Sequence, residues 1–343
     1  MTQGTPQAEL ARSLSHSIRL AWSFRQVPGI FAQERGQSPT GVNQTQLPNF
    51  GALVPWPKIL QLLGNSRTRK LIFLIRHGQA WENLTPGGDN TQCSFVLDGV
   101  YHDNVDSNIT PLGAQQAQWL NAMLRGPANV SSSSSNDHRD GTAATPTWFE
   151  YMGLVNATFI ASPLARTLET AAIVLRDLAI QQPVQVSELL RATIGHDVCN
   201  YRHPVSVNAS SVPSLPSPWA TGCSQQSFNN TSLQSLYGNL SNPAFTFNVR
   251  PPGGRSGGFG LVSDADTLWR TDIDETSEQQ VTRSIAFLAQ LFSIVESSVV
   301  GIVTHGEIID AFSYAVGGDG YPAANTEVVP MLVDLTFGTL PTD

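Results

Sequence analysis

Two histidines, each followed by a glycine, are the residues of this sequence best placed to do chemistry. His77 and His305 are each the second residue after an apolar run, 71–75 and 299–303. Short apolar runs are typical of strands that are buried on both faces of a parallel sheet. Because parallel strands end at the same edge of a sheet, where α/β proteins bind their ligands, we expect the two imidazole rings to lie close together.

Two arginines are expected at the same edge. Arg76 directly precedes His77, and Arg166 follows the apolar segment 158–161, which predicts another buried strand. Two imidazoles beside two guanidinium groups would repel if the rings were protonated, and a bound anion removes that conflict. Phosphate is the natural candidate because a guanidinium group offers it paired donors. With seventeen arginines and only two lysines in the chain, a phosphate site would be built from guanidinium groups.

A neutral imidazole in such a cluster can attack phosphorus directly and form a phosphohistidine, which water then hydrolyses. The arginines would neutralise the charge on the equatorial oxygens in the transition state. This chemistry needs no metal, and the sequence contains no aspartate-rich magnesium motif. We therefore expect a site without a metal or any other cofactor.

Strands and helices alternate along the chain. After the segment 158–161, Ser162 is predicted to cap a helix that begins at Pro163. The other predicted elements are a helix capped by Thr110, a third strand over 184–190, a helix opened by a capping box of Thr276 with Gln279, a helix after His305 and a final strand over 328–337. This alternation predicts an α/β fold with a mostly parallel sheet and helices on both faces.

One main domain is predicted over residues 71–343, after an N-terminal extension over 1–70. Two polar insertions interrupt it, at about 126–147 and at 203–262, and the second is typical of a lid or a substrate-binding segment. The extension is predicted to hold one amphipathic helix, because apolar residues recur every four positions, at Leu10, Leu14, Ile18 and Trp22. We expect the extension to wrap over the core, and a helix that binds a partner or a membrane surface is the alternative.

The composition limits the partners. The net charge of −8 argues against a general nucleic-acid binder, which needs a basic stripe. No apolar run approaches the ~20 residues that span a bilayer. We therefore expect a small phosphorylated or otherwise anionic substrate, no nucleic acid and no membrane span, and the sequence leaves the oligomeric state open.

Cysteines and glycosylation sequons bear on the cellular compartment. Cys93, Cys199 and Cys223 form neither a disulfide framework nor a zinc motif, and one bridge between Cys199 and Cys223 stays open. The N-terminus has no features of a signal peptide, so the sequence favours a cytoplasmic protein. Secretion stays open because N-glycosylation sequons occur at Asn43, Asn83, Asn108, Asn129, Asn156, Asn208, Asn229, Asn230 and Asn239.

Four ordered blocks give the chain a resemblance to a known family. Arg76-His77-Gly78-Gln79 through Asn83, the block DSNITPLGAQQA from Asp106, SPLARTLETA from Ser162, and VTHGE around His305 resemble motifs of the histidine phosphatase superfamily, in its phosphoglycerate-mutase-like branch. CNYR at 199–202 and WRTDIDET at 269–276 further resemble a group of fungal members. The N-terminus and the two insertions are not covered.

The resemblance implies a fold, an activity and roles for individual residues. The fold would be a three-layer α/β/α sandwich, and the activity would be phosphomonoester hydrolysis by a phosphatase. His77 would be the phosphorylated nucleophile, while Arg76, Arg166 and His305 would hold the phosphoryl group. Asn83 would help to bind the phosphate, and Gly306 would let the backbone approach it.

At one position the chain departs from the family pattern. Family members carry a glutamate after the third strand as the acid towards the leaving oxygen, and this chain has Ala192 there. Losing a general acid typically costs ~10²–10⁴-fold in rate. Glu188, Asp197 and Asp274 are the candidate replacements, together with His196. The departure leaves two alternatives open: a repurposed member with non-phosphatase chemistry, or a protein that only binds its ligand.

Overall fold

The computed structural model describes residues 22–36, 48–64, 66–128, 145–206, 232–249, 259–270 and 272–337. Within them the strands are β1 Trp22–Gln26, β2 Arg69–Arg76, β3 Ser94–Leu97, β4 Val100–Asp103, β5 Thr158–Ala161, β6 Val184–Val186, β7 Phe245–Thr246, β8 Val299–Thr304 and β9 Val328–Phe337. The helices are α1 Trp56–Leu63, α2 Pro111–Arg125, α3 Trp148–Tyr151, α4 Ala165–Val174, α5 Leu233–Tyr237, α6 Ser277–Ile294 and α7 Gly306–Ala315.

The described strands form a main sheet in the order β1-β9-β2-β8-β5-β6-β7, beside a separate β3–β4 hairpin. From β2 to β7 every neighbouring pair is parallel. Strand β9 runs antiparallel to both of its neighbours, β1 and β2. The sequence-based prediction of a mostly parallel α/β sheet is confirmed.

Helices cover both faces of this sheet, which confirms the three-layer sandwich. Side chains alternate along β2: Leu71 and Phe73 join a core cluster that includes residues of α1 to α4. Ile72 and Leu74 join a second cluster, which includes residues of α6 and α7. A fully apolar strand is the composition expected when both faces are buried in this way.

Most predicted elements are present, and two differ in extent. Thr110 and Thr276 cap their helices as predicted, and Gln279 completes the capping box of α6. Helix α4 begins at Ala165 rather than at Pro163. Asp106 Oδ1 accepts the N–H of Ala165 over 2.8 Å, while the hydroxyl of Ser162 lies 2.8 Å from Nε2 of His305. The third strand is limited to Val184–Val186, since residues 188–190 form a 3₁₀ turn.

The N-terminal extension and the second insertion contribute strands to the two edges of the main sheet. Trp22 begins β1 and is not part of a helix, while Leu10, Leu14 and Ile18 lie outside the described residues. From the second insertion, α5 precedes β7, which pairs with β6. In the part of the chain that the structure describes, no helix is long and apolar enough to cross a membrane.

The disulfide that the sequence left open between Cys199 and Cys223 does not form. Cys199 is a free thiol and is buried, and Cys223 lies outside the described residues. Cys93 is disulfide-bonded.

Candidate active site

The ends of β2 and β8 bring the two histidines together. The backbone N–H of His77 donates to the carbonyl of Thr304, over 3.0 Å, and so ties the two strand ends to each other. The ring centroids of His77 and His305 lie 5.2 Å apart. Both rings are buried. The imidazoles are therefore close together at one edge of the sheet, as the strand ends predict.

His77 presents a free lone pair on Nε2. Its Nδ1 lies 2.8 Å from the carbonyl oxygen of Gly78, which only accepts, so Nδ1 carries the proton. Burial, with the nearby Arg166 and Arg76, lowers the pKa of His77 well below its usual value. A neutral ring protonated on Nδ1 leaves Nε2 as a nucleophilic nitrogen.

His305 is held from the opposite side. Its Nε2 lies 2.8 Å from Ser162 Oγ, the hydroxyl that was predicted to cap α4. Within the described residues its Nδ1 has no hydrogen-bond partner. Burial and the charge of Arg166 lower the pKa of His305 well below its usual value. Both rings are therefore neutral.

Two guanidinium groups face this pair, and each keeps an unused donor. Arg166, in the first turn of α4, donates from Nη1 to the carbonyl of Cys199 and from Nη2 to Asn200 Oδ1, over 2.8 Å and 2.7 Å. Arg76 donates from Nη1 to the carbonyl of Ala323 over 2.8 Å. In the described part of the chain the buried Nε atoms of both arginines lack hydrogen-bond partners. Unpartnered buried donors of this kind are candidates for binding an oxyanion.

Two predicted glycines let the backbone pack tightly around the cluster. A Cβ on Gly306 would lie 3.2 Å from Arg76 Nε, so any side chain there would crowd the guanidinium group. A Cβ on Gly78 would lie 2.5 Å from the carbonyl oxygen of Gly113, where the loop after β2 packs on α2. Gly78 is therefore required by packing, in addition to its position beside His77.

Glu82 is the residue of this site that sequence reasoning missed. It lies on the 3₁₀ turn Trp81–Leu84 and is only 8% exposed. Its Oε1 is 3.6 Å from His77 Nε2 and 3.3 Å from Arg166 Nε. Burial raises the pKa of this carboxyl group, although Arg166 opposes the shift. The available signal was an acidic residue inside the motif that begins at Arg76.

Asn83 was predicted to bind phosphate. In the structure it is exposed, accepts the N–H of Ala80 and donates to Glu82 Oε1 over 3.1 Å. Among the described residues, Asn83 therefore contacts Ala80 and the Glu82 carboxylate, and it reaches His77 only through Glu82.

The three predicted replacement acids lie outside this cluster. Glu188 is buried and paired with Arg191 and Arg202, at 3.0 Å and 3.2 Å. Asp274 is exposed, and Asp197 is half-buried beside His196. No hydrogen bond or ion pair in the described residues joins any of them to the two active-site histidines. Ala192 is buried, and its carbonyl accepts from Arg283 over 3.1 Å.

A second arginine cluster, formed by Arg191 and Arg202 with Glu188 and Asp266, is linked to the site through Asn200. Arg191 makes a bidentate ion pair with Asp266, at 2.8 Å and 2.7 Å, and also donates to the backbone carbonyl of Asn200. Burial opposes ionisation of Asp266, but Arg191 lowers its pKa to about 2. Because the side chain of Asn200 holds Arg166, the paired cluster fixes the segment that positions a phosphate-binding candidate.

The described residues contain no group of three or more His, Cys, Asp or Glu side chains arranged to hold a metal ion. The cluster is instead a set of neutral imidazoles and cationic guanidinium groups around one carboxylate. An arrangement of this charge can bind an oxyanion and offer it a nitrogen nucleophile.

Comparison with known proteins bears on the family. The chain is 24% identical over 314 residues to Phosphomutase-like protein 3 of Candida albicans, covering 88% of this chain and 77% of that protein. This similarity is consistent with the resemblance of the sequence motifs to the histidine phosphatase superfamily. No family model matches it.

Solved structures of several hydrolases were also found to be similar. Mycobacterial hydrolase 1 is 15% identical with a TM-score of 0.35, covering 79% of this chain and 97% of that one. A mycobacterial glucosyl-3-phosphoglycerate phosphatase is 14% identical with a TM-score of 0.34, covering 80% and 100%. The phosphoserine phosphatase of Entamoeba histolytica is 14% identical with a TM-score of 0.32, covering 80% and 97%.

Proposed function

We propose that this protein is a histidine phosphatase, a phosphomonoesterase that works through a phosphohistidine on Nε2 of His77 and needs no metal. One observation carries the proposal: a neutral, buried imidazole has its Nε2 lone pair free beside guanidinium donors that lack partners. The name of the Candida relative is consistent with phosphoryl chemistry. The substrate is a small phosphorylated molecule.

In the first step Nε2 of His77 attacks phosphorus, the N–P bond forms and the ester P–O bond breaks, so the ester oxygen departs with the alcohol portion of the substrate. Arg76 and Arg166 bind the phosphoryl oxygens through their free Nε–H groups, and the ring centroid of His305 lies 5.2 Å from that of the nucleophile. In the second step water attacks phosphorus and releases inorganic phosphate, which restores the neutral ring. Because the pKa of His77 is lowered well below its usual value, the nucleophile is unprotonated at neutral pH and into the acidic range.

Rapid quench with a ³²P-labelled aryl phosphate tests this proposal. We expect a labelled protein whose phosphoryl group is stable in alkali and labile in acid, as phosphoramidates are. His77→Asn, which keeps a polar side chain of similar size, should lose the label. A wild-type protein that releases phosphate without ever carrying the label would contradict the proposed intermediate.

A ligand-binding role is the second candidate, because Ala192 places a methyl group where the family pattern has its acid. In that case inorganic phosphate should raise the melting temperature of the protein, while a broad panel of phosphate esters stays uncleaved. Release of phosphate from any ester, lost in His77→Asn, would exclude the binding-only role.

A further inference from the structure

Among the described residues, Glu82 is the carboxylate that lies beside the two active-site histidines. It is the one Asp or Glu within 4.0 Å of a ring nitrogen of His77 or His305 among those residues. Its Oε2 is buried and has no hydrogen-bond partner there. Buried carboxylate oxygens are normally satisfied, so an unpaired one at a reactive centre calls for a functional explanation.

The position of Oε1 coincides with the space that a phosphoryl oxygen needs. This atom lies 3.6 Å from the nucleophilic Nε2 and 3.3 Å from the free donor of Arg166. A phosphoryl group attached to Nε2 and bound by Arg166 must therefore displace the carboxyl group. Glu82 can rotate about its side-chain bonds, while its backbone N–H stays bound to Ser107 Oγ over 3.0 Å.

Cleavage of an ester with a poor leaving group also needs a proton. His77 carries no proton on Nε2, and its Nδ1 proton is bound to Gly78. A guanidinium group does not release a proton near neutral pH. Ala192 has no acidic group, and Glu188 is held by two arginines. Glu82 is the carboxyl group left beside the reacting atoms.

We propose that Glu82 is the proton donor and acceptor of the reaction, an inference that rests on the proposed phosphatase function. As the P–O bond breaks, the carboxyl group gives its proton to the leaving ester oxygen, which departs as an alcohol. In the second step the carboxylate takes a proton from the attacking water while the N–P bond breaks. Phosphate leaves, and both His77 and Glu82 return to their starting states.

Substrate binding prepares Glu82 for this role. Burial already favours its neutral form, and Arg166 is the charge that most opposes it. When phosphate oxygens occupy Arg166, that charge is neutralised and a phosphate dianion lies beside the carboxyl group. Both changes favour the protonated carboxyl. Binding of the phosphate ester therefore also favours the protonated form of Glu82, which is the form that acts as the acid.

The test compares Glu82→Gln on two esters. With glycerol phosphate, whose alkoxide is a poor leaving group, kcat/KM should fall by about 10²–10³-fold. With p-nitrophenyl phosphate, whose p-nitrophenolate leaves without a proton, kcat/KM should fall by less than about 5-fold, since kcat/KM reports only steps up to phosphorylation of His77. The basic limb of the wild-type pH profile for glycerol phosphate should vanish in the variant.

Glu307→Gln is the matched control, because Glu307 is a half-buried carboxylate whose charge also acts on Arg76 and Arg166. It should change kcat/KM by the same small factor for both esters. Equal losses for both esters in Glu82→Gln would overturn the proposal. A gain with both esters would also overturn it, because it would show that the carboxylate of Glu82 only obstructs phosphate binding.

If Glu82→Gln fails to fold, the pH profile of the wild-type protein is the test. A fall in kcat/KM at basic pH that is as strong with p-nitrophenyl phosphate as with glycerol phosphate would show that Glu82 is not the proton donor. Failure of wild-type protein to cleave either ester counts against the phosphatase function itself.

Discussion

Two buried arginine clusters lie side by side in this protein, and they differ in how completely their charges are paired. Arg191 and Arg202 face Glu188 and Asp266, and the carboxylates bind the guanidinium groups at 2.7 to 3.2 Å. Among the described carboxylates within 4.0 Å, Arg166 has only Glu82, in a contact without hydrogen-bond geometry, and Arg76 has none. The first cluster is balanced, and the second keeps donors unused.

The difference separates a structural role from a binding role. A balanced buried cluster has no reason to attract a further anion, whereas buried donors without partners carry a desolvation cost that an anion relieves. Asn200 joins the two clusters: its backbone carbonyl accepts from Arg191 and its side chain accepts from Arg166. The paired cluster around Arg191 therefore holds Asn200, and Asn200 in turn positions Arg166.

The largest effect on stability is expected from the balanced cluster. Arg191→Met leaves Asp266 and Glu188 buried with reduced compensation, so the free energy of unfolding should fall by about 3–5 kcal/mol. Denaturant titration measures this change. Asp266→Asn tests the same cluster from its other side: it leaves Arg191 and Arg202 with Glu188 as their carboxylate partner and should cost a similar amount. A loss below about 1 kcal/mol for Arg191→Met would remove the contrast between the clusters.

The largest effect on activity is expected from the open cluster. Arg166→Ala removes a phosphate donor, and kcat/KM for p-nitrophenyl phosphate should fall by about 10²–10³-fold. Inorganic phosphate should raise the melting temperature of the wild type and not of this variant, because stabilisation requires binding to the folded state. Unchanged stabilisation by phosphate in Arg166→Ala would place the anion elsewhere.

A smaller effect is expected at the link between the clusters. Asn200→Ala removes the oxygen that accepts from Arg166 Nη2, and kcat/KM should fall by about 10-fold as the guanidinium group loses its orientation. Asn200→Asp, which keeps an acceptor oxygen, should recover part of the loss. Steady-state kinetics of the two variants provide the measurement, and equal activities would show that the acceptor does not position Arg166.

The smallest effect concerns a carboxylate that no cation pairs in the described residues. Burial raises the pKa of Glu169 to about 7. A raised carboxyl pKa in the folded state favours folding below the unfolded-state value, and that contribution is lost as pH rises through about 7. Between about pH 5 and pH 8 the free energy of unfolding should fall by about 1 kcal/mol from this group, given its partial exposure.

Glu169→Gln should flatten this pH dependence in denaturant titrations. Glu327, whose pKa burial also raises to about 7, contributes with the same sign and remains in the variant. Part of the slope should therefore persist, and Glu327→Gln is the matched comparison. A steeper slope in Glu169→Gln would contradict the sign assigned to Glu169.

Local sequence was enough to predict the elements that carry the site. The apolar run before Arg76 is long enough to be a buried strand, and Thr110 and Thr276 mark helix starts through their own hydroxyl groups. The shortening of the third strand and the start of α4 were missed. Both depend on groups distant in sequence, such as Asp106, which accepts the N–H of Ala165.

The sequence by itself determined the mostly parallel sheet and the pairing of His77 with His305 at one edge. Runs of apolar residues identify the buried strands, and parallel strands end at the same edge of a sheet. Only the tertiary structure decided which carboxylate meets them. Glu82 points at His77 because its turn is held by Ser107 and Asn83 and faces Arg166 across the site. Glu188 instead pairs with Arg191 and Arg202, and this choice of partners depends on residues that no local sequence pattern identifies.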